Sequence, residues 1–309
     1  MKLKKIWKAF KQTFVCFFDE NILKFSASLS YYTVFSIGPL LLIIVSLLGF
    51  FFGGREPAQD RILHQFDQLL GQSVVRQLDE ILNSFDSGNE SVIGLIAGSI
   101  VLVLGSTSLF LDMKDSINQI WHIRTKPGGF WLRLLLNRVL SFSLVVSMGF
   151  LLLVSLVVSA FLDMLSERLS AIFSNGTVII FMIINYILIL AITSGLFFAI
   201  YKVLPDARIH WKDVAAGSIF TAVLFMIGKF LITLYISKSS FTVTYGAAAS
   251  IIILLAWVYY SAAILYLGAE FTRQYALHAG KGITPKANAI MVHEQEVTIK
   301  VAEDEPAKV

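Results

Sequence analysis

One lysine lies inside a stretch of sequence that otherwise carries no charge. Lys229 is the only charged residue between Val214 and Ser237. In a helix that rises about 1.5 Å per residue, it would lie about 10 Å from the nearer end of this stretch. Two interpretations stay open. The lysine extends along the helix to the membrane surface, or it faces the interior of a helix bundle and binds an anionic headgroup, an anion or an acid such as Asp163.

Two carboxylates and several hydroxyl groups lie at the ends of other uncharged stretches. Polar side chains in a membrane usually face the interior of a bundle or a water-filled cavity. We therefore expect a cavity at one end of the bundle, lined by Ser30, Tyr31, Ser106, Ser108, Asp112, Tyr260 and Glu270. The alternative is ordinary close packing for the hydroxyl groups and a position at the membrane–water boundary for Asp112 and Glu270.

The residue types needed for catalysis are not grouped in these stretches. All five histidines (His64, His122, His210, His278 and His293) lie outside them, so no serine–histidine pair is expected inside a membrane. The sequence contains no H-E-x-x-H motif, glycine-rich phosphate loop or Cys/His cluster. We therefore expect no catalytic residue, no metal site and no cofactor. An intramembrane enzyme that acts on lipid is the weakest alternative.

These residues belong to long hydrophobic stretches. The 309 residues are 56% hydrophobic and 15% charged, with a mean hydropathy of +0.74. Such values are typical of a membrane protein, and about 20 apolar residues suffice for one membrane-spanning helix. We predict an all-α bundle of six transmembrane helices, at about 29–53, 92–111, 139–162, 177–201, 214–237 and 246–269. Pro39 permits a kink in the first helix, and Gly94 and Gly98 permit a close helix contact in the second.

The positive charges predict the orientation. Of the 25 Lys and Arg residues, 19 lie in segments on one side of the predicted bundle and five on the other. Because cytoplasmic segments carry the excess of positive charge, we expect both termini in the cytoplasm. The cations follow the topology and form no single patch, so we expect no nucleic-acid partner.

Three segments lie outside the predicted membrane-spanning domain or between its helices. Residues 1–24 read as a basic amphipathic helix that lies on the inner leaflet, although a soluble helix that covers cytoplasmic loops is an alternative. Residues 59–86 form an acidic amphipathic outer-loop helix with a break at Gly71, which covers the bundle or binds a partner. Residues 25–280 make up the transmembrane domain, and residues 281–309 a flexible cytoplasmic tail.

Four stretches in this order resemble the YihY/BrkB family of bacterial inner-membrane proteins: "ASLSYYTVFSIGPLLLI", "GSTSLFLDMKDSINQIWHIR", "LPDARIHWKDVAAGSIFTAVLFMIGKFLITLYI" and "YGAAASIIILLAWVYYSAAILYLGAEF". The resemblance covers residues 20–275 approximately and includes Asn118, Trp121, Pro205 and Gly246 as motif positions. It implies six membrane-spanning helices with both termini in the cytoplasm. The family once carried a ribonuclease label, which the lack of clustered acids or histidines argues against here.

The favoured functional hypothesis is a transporter-like protein of the inner membrane that handles a lipid, an amphiphile or an ion. Its expected partners are membrane lipids and that substrate. The alternative is a non-catalytic scaffold or envelope-integrity factor that binds an envelope protein through residues 59–86. The sequence leaves the substrate, the direction of transport, the energy source and the oligomeric state open.

Overall fold

Six helical segments make up most of the residues that the computed structural model describes. The structure describes residues 2–34, 108–126, 176–238 and 249–292, with single residues and short pieces between 59 and 83. The helices are α1 (Lys2–Asp19), α2 (22–34), α3 (108–120), α4 (Gly176–Val203), α5 (Trp211–Lys238) and α6 (Ala249–His278).

Three of these helices are long and apolar enough to cross a membrane. The apolar segments are Tyr186–Val203 in α4, Trp211–Ile232 in α5 and Ile252–His278 in α6. They coincide with the last three predicted spans, although α6 continues to His278 and so places Glu270 inside the helix. Most of the first two predicted spans and all of the third lie outside the described residues, as do Pro39, Gly94, Gly98, Ser106 and Gly246.

Hydrogen bonds and small residues hold the three long helices together. The Tyr201 hydroxyl of α4 donates to the Leu265 carbonyl of α6 at 2.7 Å and lies 3.1 Å from the Thr221 hydroxyl of α5. Gly268 of α6 faces both hydroxyl-bearing side chains, and a methyl group there would overlap Thr221. Close approach of α5 and α6 at this point therefore requires glycine at position 268.

Two short antiparallel strand pairs close one end of the bundle. Strand β1 (Ile123–Thr125) pairs with β4 (Ala289–Met291), and β2 (Ala207–Ile209) pairs with β3 (Ile283–Pro285). These strands correct two expectations. The fold is mostly helical but not purely so, and residues 283–291 pair with the rest of the protein where a flexible tail was predicted. Residues 293–309 lie outside the described residues.

The strands, the last turns of α3 and α6, and the α4–α5 connection meet at one end, which we call the basal end (residues 12–22, 112–126, 201–214 and 266–292). The largest fully buried side chains of the described residues concentrate there. Trp121, Tyr201, Tyr266 and Glu270 are each 1% exposed or less. The Trp121 indole donates to the Ala269 carbonyl at 2.9 Å, so it joins the end of α3 to α6.

The outer segment is helical at every residue that the structure describes between 59 and 83. Gln59 donates hydrogen bonds to Asp79 and Asn83, both at 3.1 Å. Residues 20 and more positions apart are therefore neighbours, which means that the segment folds back on itself. The predicted break at Gly71 lies outside the described residues.

Candidate functional site

Asp112 accepts one strong hydrogen bond and keeps a buried oxygen without a partner. Ser28 of α2 donates to Asp112 Oδ1 of α3 at 2.6 Å. The second carboxylate oxygen, Oδ2, is buried and forms no hydrogen bond. An unpaired buried acceptor costs about 1–3 kcal/mol. Such an oxygen is suited to accept a proton, a cation or a donor group of a bound molecule.

A second unpaired polar atom lies beside this carboxylate. The Tyr266 hydroxyl of α6 is buried close to Ser116 and Asp112, and no hydrogen bond of standard geometry satisfies it. Three helices thus contribute polar groups to one place: Ser28 from α2, Asp112 from α3 and Tyr266 from α6. We call Ser28, Asp112, Ser116 and Tyr266 the Asp112 cluster.

Glu270 belongs to a separate network of charges. Its Oε1 accepts a hydrogen bond from Gln274 at 2.7 Å, and its Oε2 lies 3.3 Å from Arg273 Nη1. The same arginine reaches Glu20 Oε1 at 3.1 Å, and Glu20 Oε1 accepts from His122 Nε2 at 2.6 Å. This Glu20–Glu270 network ties the end of α1 to α6 and to the turn that follows α3.

The environment of Glu20 favours its charged form. Burial alone would raise the pKa of this carboxyl group. The hydrogen bond from His122 and the positive charges of His122 and Arg273 outweigh burial, so the pKa lies below its ordinary value of 4.5. Glu20 is therefore held as a carboxylate between two partners, which is the state that a structural ion pair needs.

Asp206 organises a third group of polar side chains that sequence reasoning missed. It is 3% exposed and lies 3.0 Å from the Lys114 ammonium group. Its backbone N–H donates to Asn118 Oδ1 at 2.8 Å, and its carboxylate accepts from Thr125 at 3.2 Å. Pro205 and Asn118 were recognised as motif positions. The nearest sequence signal for Asp206 was its place after Pro205 in "LPD", between two uncharged stretches.

A polar cleft of about 470 Å³ opens at the basal end between α1, α3 and β1. Its lining includes Asp19, Glu20, Asp115, Asn118, His122 and Arg124. Asn21 and His122, which both line it, have left-handed backbone φ angles of 53° and 55°. Asn21 lies in the turn after α1 and His122 in the turn after α3, and such angles are common just past the end of a helix. Within the described residues, no three His, Cys, Asp or Glu side chains are placed to hold a metal ion.

The other residues of the predicted cavity are dispersed. Ser30 is buried and donates to the Ala27 carbonyl of its own helix at 2.8 Å, while Tyr31 is 59% exposed. Ser108 is half-buried at the first described residue of α3. Tyr260 packs against Gly228 of α5. Among the members of the predicted set that the structure describes, Asp112 alone lies in the Asp112 cluster. Its neighbours there are Ser28, Ser116 and Tyr266, which were not in the set.

Lys229 is half-buried in α5. Asp67 of the outer segment interacts with it electrostatically. Lys229 follows Trp211, the first residue of α5, by 18 positions, so about 27 Å of helix separates it from the basal end. The lysine therefore belongs to the opposite end of the bundle from Asp112, and an acid of this chain lies near it.

Comparison with known proteins gives one family. The family model described as Virulence factor BrkB matches residues 13–290. A UPF0761 membrane protein of Delftia acidovorans is 30% identical over 80% of this chain and 57% of its own length. A UPF0761 membrane protein of Psychrobacter sp. is 26% identical over 84% of this chain and 47% of its own length. Another, of Aggregatibacter aphrophilus, is 28% identical over 85% of this chain and 91% of its own length. The chain thus spans about half the length of the first two relatives. No solved structure gives a significant match.

Proposed function

The chain belongs to the BrkB family of membrane proteins, and from this premise we propose that it is transporter-like and handles a lipid, an amphiphile or an ion. The observation that carries the proposal is the buried Asp112 oxygen without a hydrogen-bond partner. A carboxylate that serves only helix packing would be expected to have both oxygens satisfied. An acceptor kept open among three helices is instead suited to a group that arrives and leaves.

The chemistry of the Asp112 cluster favours a ligand that donates hydrogen bonds or carries positive charge. Asp112 offers a carboxylate oxygen, and Tyr266 offers a hydroxyl group that can donate or accept. A proton, a small cation and the amine or hydroxyl groups of a lipid headgroup share this requirement. In this proposal the basal end faces the cytoplasm, and Asp112 is the first group inside the bundle that the substrate meets.

Lys229 supplies the second part of the proposed path. It is half-buried in α5 at the far end from Asp112, near Asp67. Burying a cation at that depth costs free energy, and such residues usually pair with another group or mark a substrate path. We propose that Lys229 interacts with Asp67 when no substrate is present and binds the anionic part of the substrate when it arrives. A lipid with a phosphate and a headgroup donor would satisfy both ends of the path.

The test uses the full chain reconstituted in vesicles with fluorescent lipids on one leaflet, or with a dye that reports internal pH or cations. Wild-type protein should accelerate at least one of these movements over protein-free vesicles. Asp112→Asn should remove the acceleration, because the amide keeps the size and loses the charge. Asp115→Asn, an exposed acid three positions along the same helix, is the matched control and should behave as wild type.

Ser28→Ala and Lys229→Gln sharpen the result. Ser28→Ala removes the hydrogen bond that positions Asp112, so its rate should fall but not vanish. Lys229→Gln should slow the movement of anionic lipids more than that of cations. Equal rates for wild type, Asp112→Asn and Asp115→Asn would overturn the proposal, as would wild-type vesicles that behave like protein-free ones.

A scaffold that acts through partner proteins is the second candidate. The described residues of the outer segment are helical, and Gln59 holds two parts of it side by side through Asp79 and Asn83. An acidic segment with exposed carboxylates is suited to bind an envelope protein. Photocrosslinkers at exposed Asp60 and Glu80 should capture a defined protein in intact cells if this is so. Capture of lipid alone would count against it.

A further inference from the structure

The first helix has three distinct faces. Ala9 and Thr13 are fully buried where α1 packs along α6. The Phe10 ring meets Phe220 of α5, which stacks on Phe271 of α6 with ring centres 4.0 Å apart. This contact leaves the opposite side of α1 uncovered by the described part of the chain.

The uncovered side carries large aromatic residues. Trp7 is 68% exposed, Phe18 is 74% exposed and Phe14 is 44% exposed. Positions 7, 14 and 18 fall on one stripe of an α-helix, since seven and eleven residues are close to two and three turns. Removing side chains of this size from water is favourable. A stripe of three that points away from the bundle therefore indicates an apolar neighbour.

Lysines border this stripe. Lys4, Lys8 and Lys11 are exposed, and they follow one another at spacings of four and three residues, which places them on one side of the helix. Lys11 is four positions after Trp7 and three before Phe14, so it lies beside both on the helix surface. The only acid of α1 is Asp19, its last residue. The surface thus combines aromatic rings with positive charge, which is the composition of helices that lie in an anionic membrane surface.

The position of α1 along the bundle agrees with a place at the membrane surface. Its contacts reach Phe271 through Phe220 and reach Gln274, whose amide lies 3.7 Å from Cys16 Sγ. The sixth predicted span ends at about residue 269, so both contacts fall within about two helical turns of that boundary. At this level the helix has headgroups beside it, where aromatic residues are favoured.

We propose that the exposed side of α1 is a binding surface for anionic lipid. Trp7, Phe14 and Phe18 insert between the acyl chains and headgroups, and Lys4, Lys8 and Lys11 bind the lipid phosphates. Each lysine near such a surface strengthens the attraction to anionic lipid. The inference does not depend on transport, because it concerns the outer side of α1 and not the Asp112 cluster.

The test measures fluorescence quenching of Trp7 in the full chain, reconstituted in nanodiscs that contain brominated phosphatidylglycerol or brominated phosphatidylcholine. Subtracting the emission of Trp7→Phe from that of wild type isolates the Trp7 signal. We expect most of this signal to be lost with brominated phosphatidylglycerol and less to be lost with brominated phosphatidylcholine. Added salt should reduce the difference, because it screens the lysine–phosphate attraction.

Two triple variants separate α1 from general surface charge. K4Q/K8Q/K11Q should abolish the preference for phosphatidylglycerol. K126Q/K212Q/K281Q, which removes three exposed lysines of the basal end outside α1, should retain it. Trp7 emission that neither lipid quenches would overturn the proposal. This holds also if the quenching is absent because two copies of the protein in one disc cover each other's Trp7. Equal quenching by both lipids, or an equal loss of preference in both triple variants, would overturn it as well.

Discussion

At the scale of single residues, the basal end depends on acids that are buried with their partners. Asp206 and Glu20 were not recognised from the sequence, because both lie outside the hydrophobic stretches and have no nearby partner in the chain. Their partners Lys114 and Arg273 are 92 and 253 positions away. Asp112 was recognised because it borders a hydrophobic stretch, whereas the tertiary fold decides which hydroxyl groups reach it.

Asp206→Asn removes a carboxylate charge beside the Lys114 ammonium group, which is itself 6% exposed. Breaking a buried ion pair by removing one charge costs about 3–5 kcal/mol. We expect a loss of that order in the free energy of unfolding, measured by SDS titration with tryptophan fluorescence. Asp19→Asn changes an exposed acid and should cost less than about 0.5 kcal/mol. Equal losses in the two variants would contradict this account of Asp206.

Glu20 should make the attachment of α1 dependent on pH. Its pKa in the folded protein lies below 4.5, so the folded state binds fewer protons than the unfolded state. The stability that Glu20 contributes is fully present above pH 4.5 and is lost as the pH falls through the folded value. Glu20→Gln should therefore lower stability at neutral pH and flatten the decline below pH 4.5 in the same SDS titration. An unchanged acid profile in Glu20→Gln would show that other groups govern it.

At the scale of elements, the long helices follow from composition and the short strands do not. A run of about 20 apolar residues specifies a membrane-spanning helix locally, which is why α4, α5 and α6 match their predictions. Ile123–Thr125 and Ile283–Pro285 are three residues long, too short to show an alternating pattern. They are strands only because β4 and β2 lie beside them. The tail was predicted to be flexible for the same reason.

The contact between α5 and α6 provides a matched pair of glycine substitutions. Gly268→Ala places a methyl group against Thr221 and Tyr201, whereas Gly195→Ala in α4 meets nothing within 4 Å. The first should lower the free energy of unfolding by about 1–3 kcal/mol, since overpacking forces the helices apart. The second should be neutral or raise it by up to about 1 kcal/mol through helix propensity. Destabilisation by Gly195→Ala of the same size would show that glycine flexibility, and not close approach, is what matters.

At the scale of the whole molecule, the distribution of positive charge predicts the orientation that the proposed function requires. The basal end contains residues 202–213 and 271–292, which carry three cations each. Because such segments stay in the cytoplasm, the Asp112 cluster should be accessible from inside the cell.

Reporter fusions test the orientation directly. A fluorescent protein that folds only in the cytoplasm should be bright when fused after residue 309, and alkaline phosphatase should be active when inserted near residue 87. The second insertion lies in the acidic segment that we expect outside. The reverse pattern would place the basal end outside the cell, and the proposed entry of substrate at Asp112 would then fail.

The two strand pairs also determine the stage of synthesis at which the basal end can complete its folding. β1 and β2 are synthesised early relative to β4 and β3, and each waits for a partner that follows the last long helix. Until the ribosome has released residues 283–291, the backbone groups of both early strands lack their final partners. Insertion into the membrane and completion of the basal end are therefore separate steps. A chain interrupted after His278 would contain its long helices and still present an incomplete surface to the proteases that remove unfinished proteins.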